Sequence, residues 1–285
     1  MNTRYSVKSD LPEIKHVWNT CFPGDIGYGI WFFENVWKAE NTLVCCEENR
    51  IASMLQMLPT DILINGSRCK ATYIYGACTM PRYRRQRLME KLLNLSFAED
   101  EKNNRPISVL IPQQEWLFDF YKKFSYESVF SLQTERMKVN RSYGEFTVRP
   151  FNIHDIKAFL ALYDQKMEKR AHVVRTEKDA GLILDSYAKN GGAALCVTDK
   201  NQVIATAFGY VSDCALIIQE LLVKDGFPID EVCGRICGYV SCRDVKFSMP
   251  TESGGTCERF ACARLAPWSG ITADFDNAYM NLLFN

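Results

Sequence analysis

The stretch ATYIYGACTMPRYRRQRLMEKLLNLSFAEDE, residues 71–101, decides the reading of this chain. It opens with an apolar run, Ala71 to Met80, whose β-branched and aromatic residues predict a strand. Pro81 ends that strand, because proline cannot donate to a ladder. Arg82, Arg84, Arg85 and Arg87 follow. An amphipathic helix over 88–102 then carries Leu88, Met89, Leu92, Leu93, Leu95 and Phe97 on its apolar stripe. Five cations (Arg82, Arg84, Arg85, Arg87, Lys91) against Glu90 give residues 82–91 a charge of +4. They stand where a strand feeds a helix N-terminus, and free backbone N–H groups there face an anion. A pyrophosphate is the natural occupant, with the arginines as charge-assisted donors.

Working outward, the same pattern continues on both sides. Downstream comes PISVLIP (106–112), a second strand, and then the aromatic-rich QQEWLFDFYKKFSYE (113–127). Strands are predicted at 5–8, 42–47, 50–59, 70–80, 106–111 and 126–138. Helices are predicted at 10–21, 28–39, 88–102 and 115–123. Helices alternating with a mostly antiparallel run of strands argue α/β, a sheet covered by helices on its faces.

The second half echoes the first. YSVKSDLPEIKHVW (5–18) resembles FTVRPFNIHDIKAFL (146–160), each a short strand, a polar capping residue and an amphipathic helix. LVCCEENRIASMLQM, from Leu43, resembles LCVTDKNQVIATAFGY, from Leu195; both predict hairpins, with turns at Glu48–Asn49 and Lys200–Asn201. ISVLIP (107–112) resembles VKFSMP (245–250). Separations of about 140 to 150 residues describe a duplicated domain rather than a solenoid. The second copy reads strand, helix, hairpin, strand, helix, strand to about 250. A tail, 251–285, opens with the loop-like TESGGT and ends in the apolar NLLFN.

Composition agrees with this organisation. The 285 residues give about two domains at roughly 150 each. Lys+Arg and Asp+Glu are 34 each, so the net charge is zero, which disfavours a nucleic-acid partner. The first ten residues hold no apolar signal segment, and no run is long enough to span a membrane. The expectation is therefore a cytoplasmic protein with no membrane partner. Twelve cysteines are scattered without a CxxC pair, the usage of reduced, mostly buried thiols. Cys233, Cys237 and Cys242 cluster without a nearby His, so no metal is expected. His16, His154 and His172 are isolated and are given no catalytic role. Tyr28, Trp31, Phe32, Phe33 and Trp37 are expected mainly in the core, with one or two free to wall a ligand.

Arg84-Arg85-Gln86-Arg87-Leu88-Met89 after a strand, then Phe118–Phe124 and Ser125-Tyr126, resemble the GNAT superfamily of acyl-CoA-dependent N-acetyltransferases. The likeness runs from about residue 3 to 140, and the whole chain resembles tandem chains of the enhanced-intracellular-survival (Eis) type. Two departures stand out: Arg87 and Met89 replace the loop's small residues, and Ser125 replaces a glycine. The sterol-carrier-like domain of the Eis type has only about 35 residues left for it here, so it is expected to be absent or vestigial.

The resemblance implies tandem GNAT-like folds: a catalytic domain at 1–142, a degenerate second copy at 143–250, and a tail at 251–285 packing on the core. It implies acetyl-CoA as co-substrate and direct transfer to a primary amine, on a small molecule or a peptide. Arg84, Arg85, Gln86, Arg87, Leu88 and Met89 would hold the CoA pyrophosphate. Ala77, Cys78 and Thr79 would run along the pantetheine arm, with Gln114 beside it. Tyr121 would protonate the departing thiolate. Asn285 would bring the C-terminal carboxylate into the site. The second half lacks an arginine loop and is expected to bind no CoA. The alternative is a non-catalytic acyl-CoA-binding or protein-interaction module. Oligomeric state is left open.

Overall fold

The computed structural model describes residues 2–48, 50–139, 145–213, 215–251 and 257–282. The chain forms two compact units. One comprises 1–129 and 261–274, the other 130–260 and 275–285.

The first unit begins with β1 (Asn2–Tyr5), α1 (Leu11–Cys21) and α2 (Ile26–Asn35). Then come β2 (Thr42–Glu47), β3 (Arg50–Ile64) and β4 (Ser67–Thr79). It ends with α3 (Leu88–Lys102), β5 (Ile107–Leu110) and α4 (Glu115–Lys122). The strand expected at 5–8 lies earlier, because Lys8–Asp10 form a 3-10 turn into α1. Pro12 stands in the first turn of α1, where its missing N–H costs nothing. Ile14, Val17 and Trp18, at i, i+3 and i+4, give the helix its buried face. The helix expected at 28–39 runs Ile26–Asn35 instead and buries Trp31, Phe32 and Phe33.

β3 and β4 are longer than expected. They pair antiparallel from Ser53↔Thr79 to Ile64↔Ser67, closed by Asn65-Gly66 with φ of 50° and 74°. Asn-Gly is the favoured pair for such a two-residue turn, and it was the available signal. α3 spans 88–102 as expected and buries Leu88, Leu92 and Leu93 in a core with Leu43, Leu55, Ile74, Tyr121 and Tyr126. Those three leucines contribute about 5–9 kcal/mol. That outweighs the ~1–2 kcal/mol cost of the left-handed residue at the helix's start.

Strand order in this unit is β1-β2-β3-β4-β5, followed by β13 (Cys257–Leu265), a strand the sequence reading did not anticipate. The tail is thus not loop throughout: Cys262–Leu265 pair antiparallel with Ile107–Leu110. Its polar start, Cys257-Glu258-Arg259, disguises it, because the apolar part is only the short run around Ala261–Ala263.

β6 (Glu127–Lys138) leads into the second unit, which continues with β7 (Thr147–Pro150), α5 (Ile156–Met167), β8 (His172–Val173) and α6 (Glu177–Lys189). Then come β9 (Ala193–Asp199), β10 (Gln202–Ser212), β11 (Ala215–Val223), α7 (Ile229–Val240) and β12 (Asp244–Met249). α6, absent from the sequence reading of this half, is N-capped by Thr176, whose Oγ1 accepts from Asp179 N at 3.2 Å. Strand order is β7-β9-β10-β11-β12-β6. The expected hairpin turn is present: Lys200 and Asn201 have φ of 45° and 68°.

The two units share internal details. β4 and β5 pair in parallel, as do β11 and β12. Arg4 pairs with Asp10 at 2.6 Å, and Arg149 with Asp155 at 2.7 Å. Each aspartate also accepts a backbone N–H, from Val7 at 2.8 Å and from Asn152 at 2.9 Å.

Candidate functional site

The site lies where β4 outruns β5. Their parallel ladder covers Ala71–Tyr73 against Ile107–Val109, while β4 continues to Thr79. The edge from Ile74 to Thr79 therefore runs past the end of the ladder. On its other side, β4 carries a bulge: Gln56 faces Tyr75 and Met54 faces Cys78, so Leu55 opposes both Gly76 and Ala77. Such bulges turn a strand locally and re-aim its backbone. Gly76 has φ of 55°. A Cβ there would sit 2.6 Å from the Trp18 ring, and one at Gly29 would sit 2.7 Å from its Nε1. Both positions need glycine so that Trp18 can lie against the bulge.

Thr79 leads into the arginine loop. Ser53 Oγ donates to the Cys78 carbonyl at 2.9 Å and shares a hydrogen bond with Thr79 Oγ1 at 2.8 Å, which fixes the strand's end. Arg84 Nε donates back to the Thr79 carbonyl at 3.2 Å, closing the loop on itself. Arg82 stacks on Tyr83, 4.7 Å from its centroid. Arg85 and Arg87 have φ of 63° and 57°, and Arg87 is the N-cap of α3. Its side chain is 83% exposed and reaches Glu90 at 4.0 Å, a surface pair of little energetic weight. So Arg87 keeps the backbone shape a glycine would supply, and its guanidinium points outward. Met89 lies inside α3, where no special conformation is required. Arg84, Arg85, Gln86 and Arg87 are exposed and Leu88 is buried. The first turn of α3 has no side-chain cap, so its N–H groups face the loop.

Tyr121 is 7% exposed, whereas Phe120 is only partly buried. Tyr121 stacks edge-on against Phe120 and Tyr126. Burial, helped by the nearby thiols of Cys262 and Cys78, pushes its phenol well above the ordinary pKa, so it keeps its proton. The same neighbours place Tyr121 on the β4 edge. Gln114 caps α4, and its Oε1 accepts from Trp116 Nε1. Asn285 lies outside the described residues.

The sequence reading missed Cys21. This last residue of α1 is half-buried, and its sulfur accepts from the Cys78 thiol. That hydrogen bond, together with the Arg84 guanidinium, lowers the Cys21 thiol to about 7 despite burial, while Cys78 is pushed well up. No motif joins residues 21, 78 and 84, so only the fold reveals the cluster.

Comparison with known proteins bears on these features. Residues 2–129 match the family described as the acetyltransferase (GNAT) domain. No curated protein matches the sequence. Among solved structures, the fold is similar to a GCN5-related N-acetyltransferase from Anabaena variabilis, with TM-score 0.73 and 17% identity, covering 93% of this chain and 72% of that one. A GCN5-related N-acetyltransferase from Kribbella flavida gives TM-score 0.70 and 16% identity, covering 93% and 70%. Eis1 from Mycobacterium abscessus gives TM-score 0.66 and 10% identity, covering 94% and 74%. With their parallel β4–β5 ladder ending early beside the arginine loop, residues 2–129 form an acetyltransferase (GNAT) domain.

Proposed function

We propose that the chain is an acetyl-CoA-dependent N-acetyltransferase acting on a primary amine of a small molecule or peptide. The GNAT domain supports acyl transfer in general. The observation that carries the finer reading is the β4 edge running past its ladder into the uncapped first turn of α3, beside Arg84, Arg85 and Arg87.

In this reading the backbone N–H groups of 85–89 hold the pyrophosphate, and the arginines add charge. Ala77, Cys78 and Thr79 pair with the pantetheine amides as an added strand does, and Gln114 flanks the arm. The amine's lone pair attacks the thioester carbonyl. A backbone N–H at the bulge steadies the oxyanion. The C–S bond breaks, the Tyr121 phenol delivers its proton to the thiolate, and the proton shed by the attacking nitrogen passes through solvent to restore the phenol. Catalysis is assigned to residues 1–142. Residues 143–250 are read as a degenerate copy without an arginine loop, a reading supported by the shared parallel ladders and the mirrored Arg–Asp pairs. Residues 251–285 are kept as the tail. The location is read as cytoplasmic, a reading that the many free thiols among the described residues support.

The test combines two measurements. Millimolar acetyl-CoA should raise the melting temperature, since a ligand of the native state must do so. Thiol release across an amine panel should then identify the acceptor. No thermal shift overturns the reading. A shift without thiol release on any amine favours a binding module over an enzyme.

A further inference from the structure

We propose that Trp116 is the adenine platform of the acyl-CoA site, an assignment that rests on the acyl-transfer reading and gives a role to a residue which that reading leaves unused. The indole stacks on the purine and holds the nucleotide end of the co-substrate outside the cleft.

Topology puts Trp116 at the right end of the sheet. β4 and β5 run parallel, so both strands end on the same side. After β4 comes the arginine loop. After β5 come Gln114 and the first turn of α4, which holds Trp116. The edge of β4 that outruns the ladder lies between these two segments. An acyl-CoA carries its pantetheine arm on one side of the pyrophosphate and its adenosine on the other. With the arm running inward along Ala77–Thr79 and the pyrophosphate on the loop, the adenosine extends outward from this end of the sheet.

The side chain is suited to receive a flat, uncharged ring there. Trp116 is 61% exposed, against 41% for Trp268, 3% for Trp18 and 3% for Trp31. Its Nε1 donates to Gln114 Oε1, so the indole is held by its polar edge before a ligand arrives. A ring fixed in advance loses little rotamer freedom on binding. The same bond leaves Gln114 Nε2 to donate to a carbonyl of the arm.

The neighbouring aromatics sharpen the assignment. Tyr83, on the arginine loop, is half-buried and already has Arg82 over its ring at 4.7 Å. Phe120, one turn further along α4, is partly buried and packs on the same core as Ala77, Tyr83 and Met89. Residues four apart share a helix face, so Trp116 carries to the surface the apolar ridge that Phe120 begins. Stacking of a base on such a ring needs no charge of its own and adds to what the arginines contribute through the phosphates.

The test removes the ring and the base separately. Acetyl-CoA, and S-acetyl-4′-phosphopantetheine, which lacks the adenosine, are titrated calorimetrically into the full chain as wild type, Trp116→Ala and Trp116→Phe. Trp116→Ala should weaken acetyl-CoA binding about tenfold or more, and Trp116→Phe should recover most of that loss. All three proteins should bind the phosphopantetheine thioester equally. The position is exposed, so the melting temperature without ligand should change little in either variant. Equal acetyl-CoA affinity in wild type and Trp116→Ala overturns the proposal. So does a loss of the same size for both ligands, which would place the effect of Trp116 on Gln114 and the arm. A wild-type chain that binds neither ligand overturns the acyl-CoA reading itself, and this assignment with it.

Discussion

Arg87 and Ser125 hold the same left-handed backbone conformation, with φ of 57° and 64°, at the two places where the GNAT likeness calls for glycine. The conformation has survived without the residue that favours it. Arg87 begins α3. Ser125 ends α4 in a Schellman-like cap, with Tyr126 N donating to the Tyr121 carbonyl at 3.3 Å. A non-glycine residue there costs ~1–2 kcal/mol. Arg87→Gly and Ser125→Gly are therefore expected to stabilise the chain by about 1 kcal/mol each, or about 2 °C in melting temperature. Thermal unfolding of the two variants checks this, and a fall in melting temperature for both would contradict it.

Gly76 is the opposite case. A side chain there meets both an unfavourable φ and the Trp18 ring at 2.6 Å. Gly76→Ala should lose about 2–4 kcal/mol, from strain and overpacking together. Gly29→Ala, which meets the same ring without a positive φ, should lose less. Urea unfolding monitored by tryptophan fluorescence separates them. Equal losses would mean that the bulge conformation carries no cost of its own.

Tyr121→Phe isolates the proton. The ring stays in its aromatic cluster with Phe120 and Tyr126, so acetyl-CoA affinity and stability should change little. Turnover should fall at least about tenfold if the phenol protonates the leaving thiolate. An unchanged kcat would remove Tyr121 from that role.

Asp100 makes stability depend on pH. It is 3% exposed on α3; its Oδ1 accepts from Thr72 Oγ1 at 2.5 Å, and its Oδ2 has no partner among the described residues. Burial raises its pKa from 3.8 to about 6, against the opposing pull of Thr72 and Arg105. The folded protein thus holds this proton to a higher pH than the unfolded chain does. Its contribution falls as pH rises from about 4 to about 6, by about 2–3 kcal/mol. Asp100→Asn should flatten the stability curve across that window. Urea midpoints at pH 4, 5 and 6 provide the measurement, and matching slopes in both proteins would contradict it.

In the second unit, Arg175 and Glu220 form a fully buried bidentate pair at 2.6 and 2.7 Å. Arg175 also donates to the Asn281 carbonyl at 2.6 Å and lies 4.1 Å from the Tyr163 centroid, while Tyr279 donates to Glu220 at 2.7 Å. Glu220→Gln leaves a buried cation without its counter-charge and should cost about 3–5 kcal/mol. The double change Arg175→Met/Glu220→Leu should cost less than that single one, because no charge is stranded. Additive losses from the two single changes would contradict this account.

Several features follow from the sequence alone, because short-range rules govern them. The apolar period of 88–102 set α3 to the residue, and the turn pair Lys200–Asn201 set a hairpin. The run of arginines before α3 marked the loop, since a helix N-terminus and clustered cations act locally. Other features depend on residues far apart in the chain. β13 reads as tail because its pairing with β5 joins positions more than 150 apart, and its own pattern is weak. The burial of Tyr121 depends on Tyr126, Cys78 and Cys262 closing over it, which helical phase within α4 does not encode. The Cys21–Cys78–Arg84 cluster exists only because the end of α1 lies on the bulged edge of β4. Periodicity and turn chemistry wrote the elements into the sequence; which side chains share a few ångströms, and so which protons and sulfurs can react, was decided by tertiary packing.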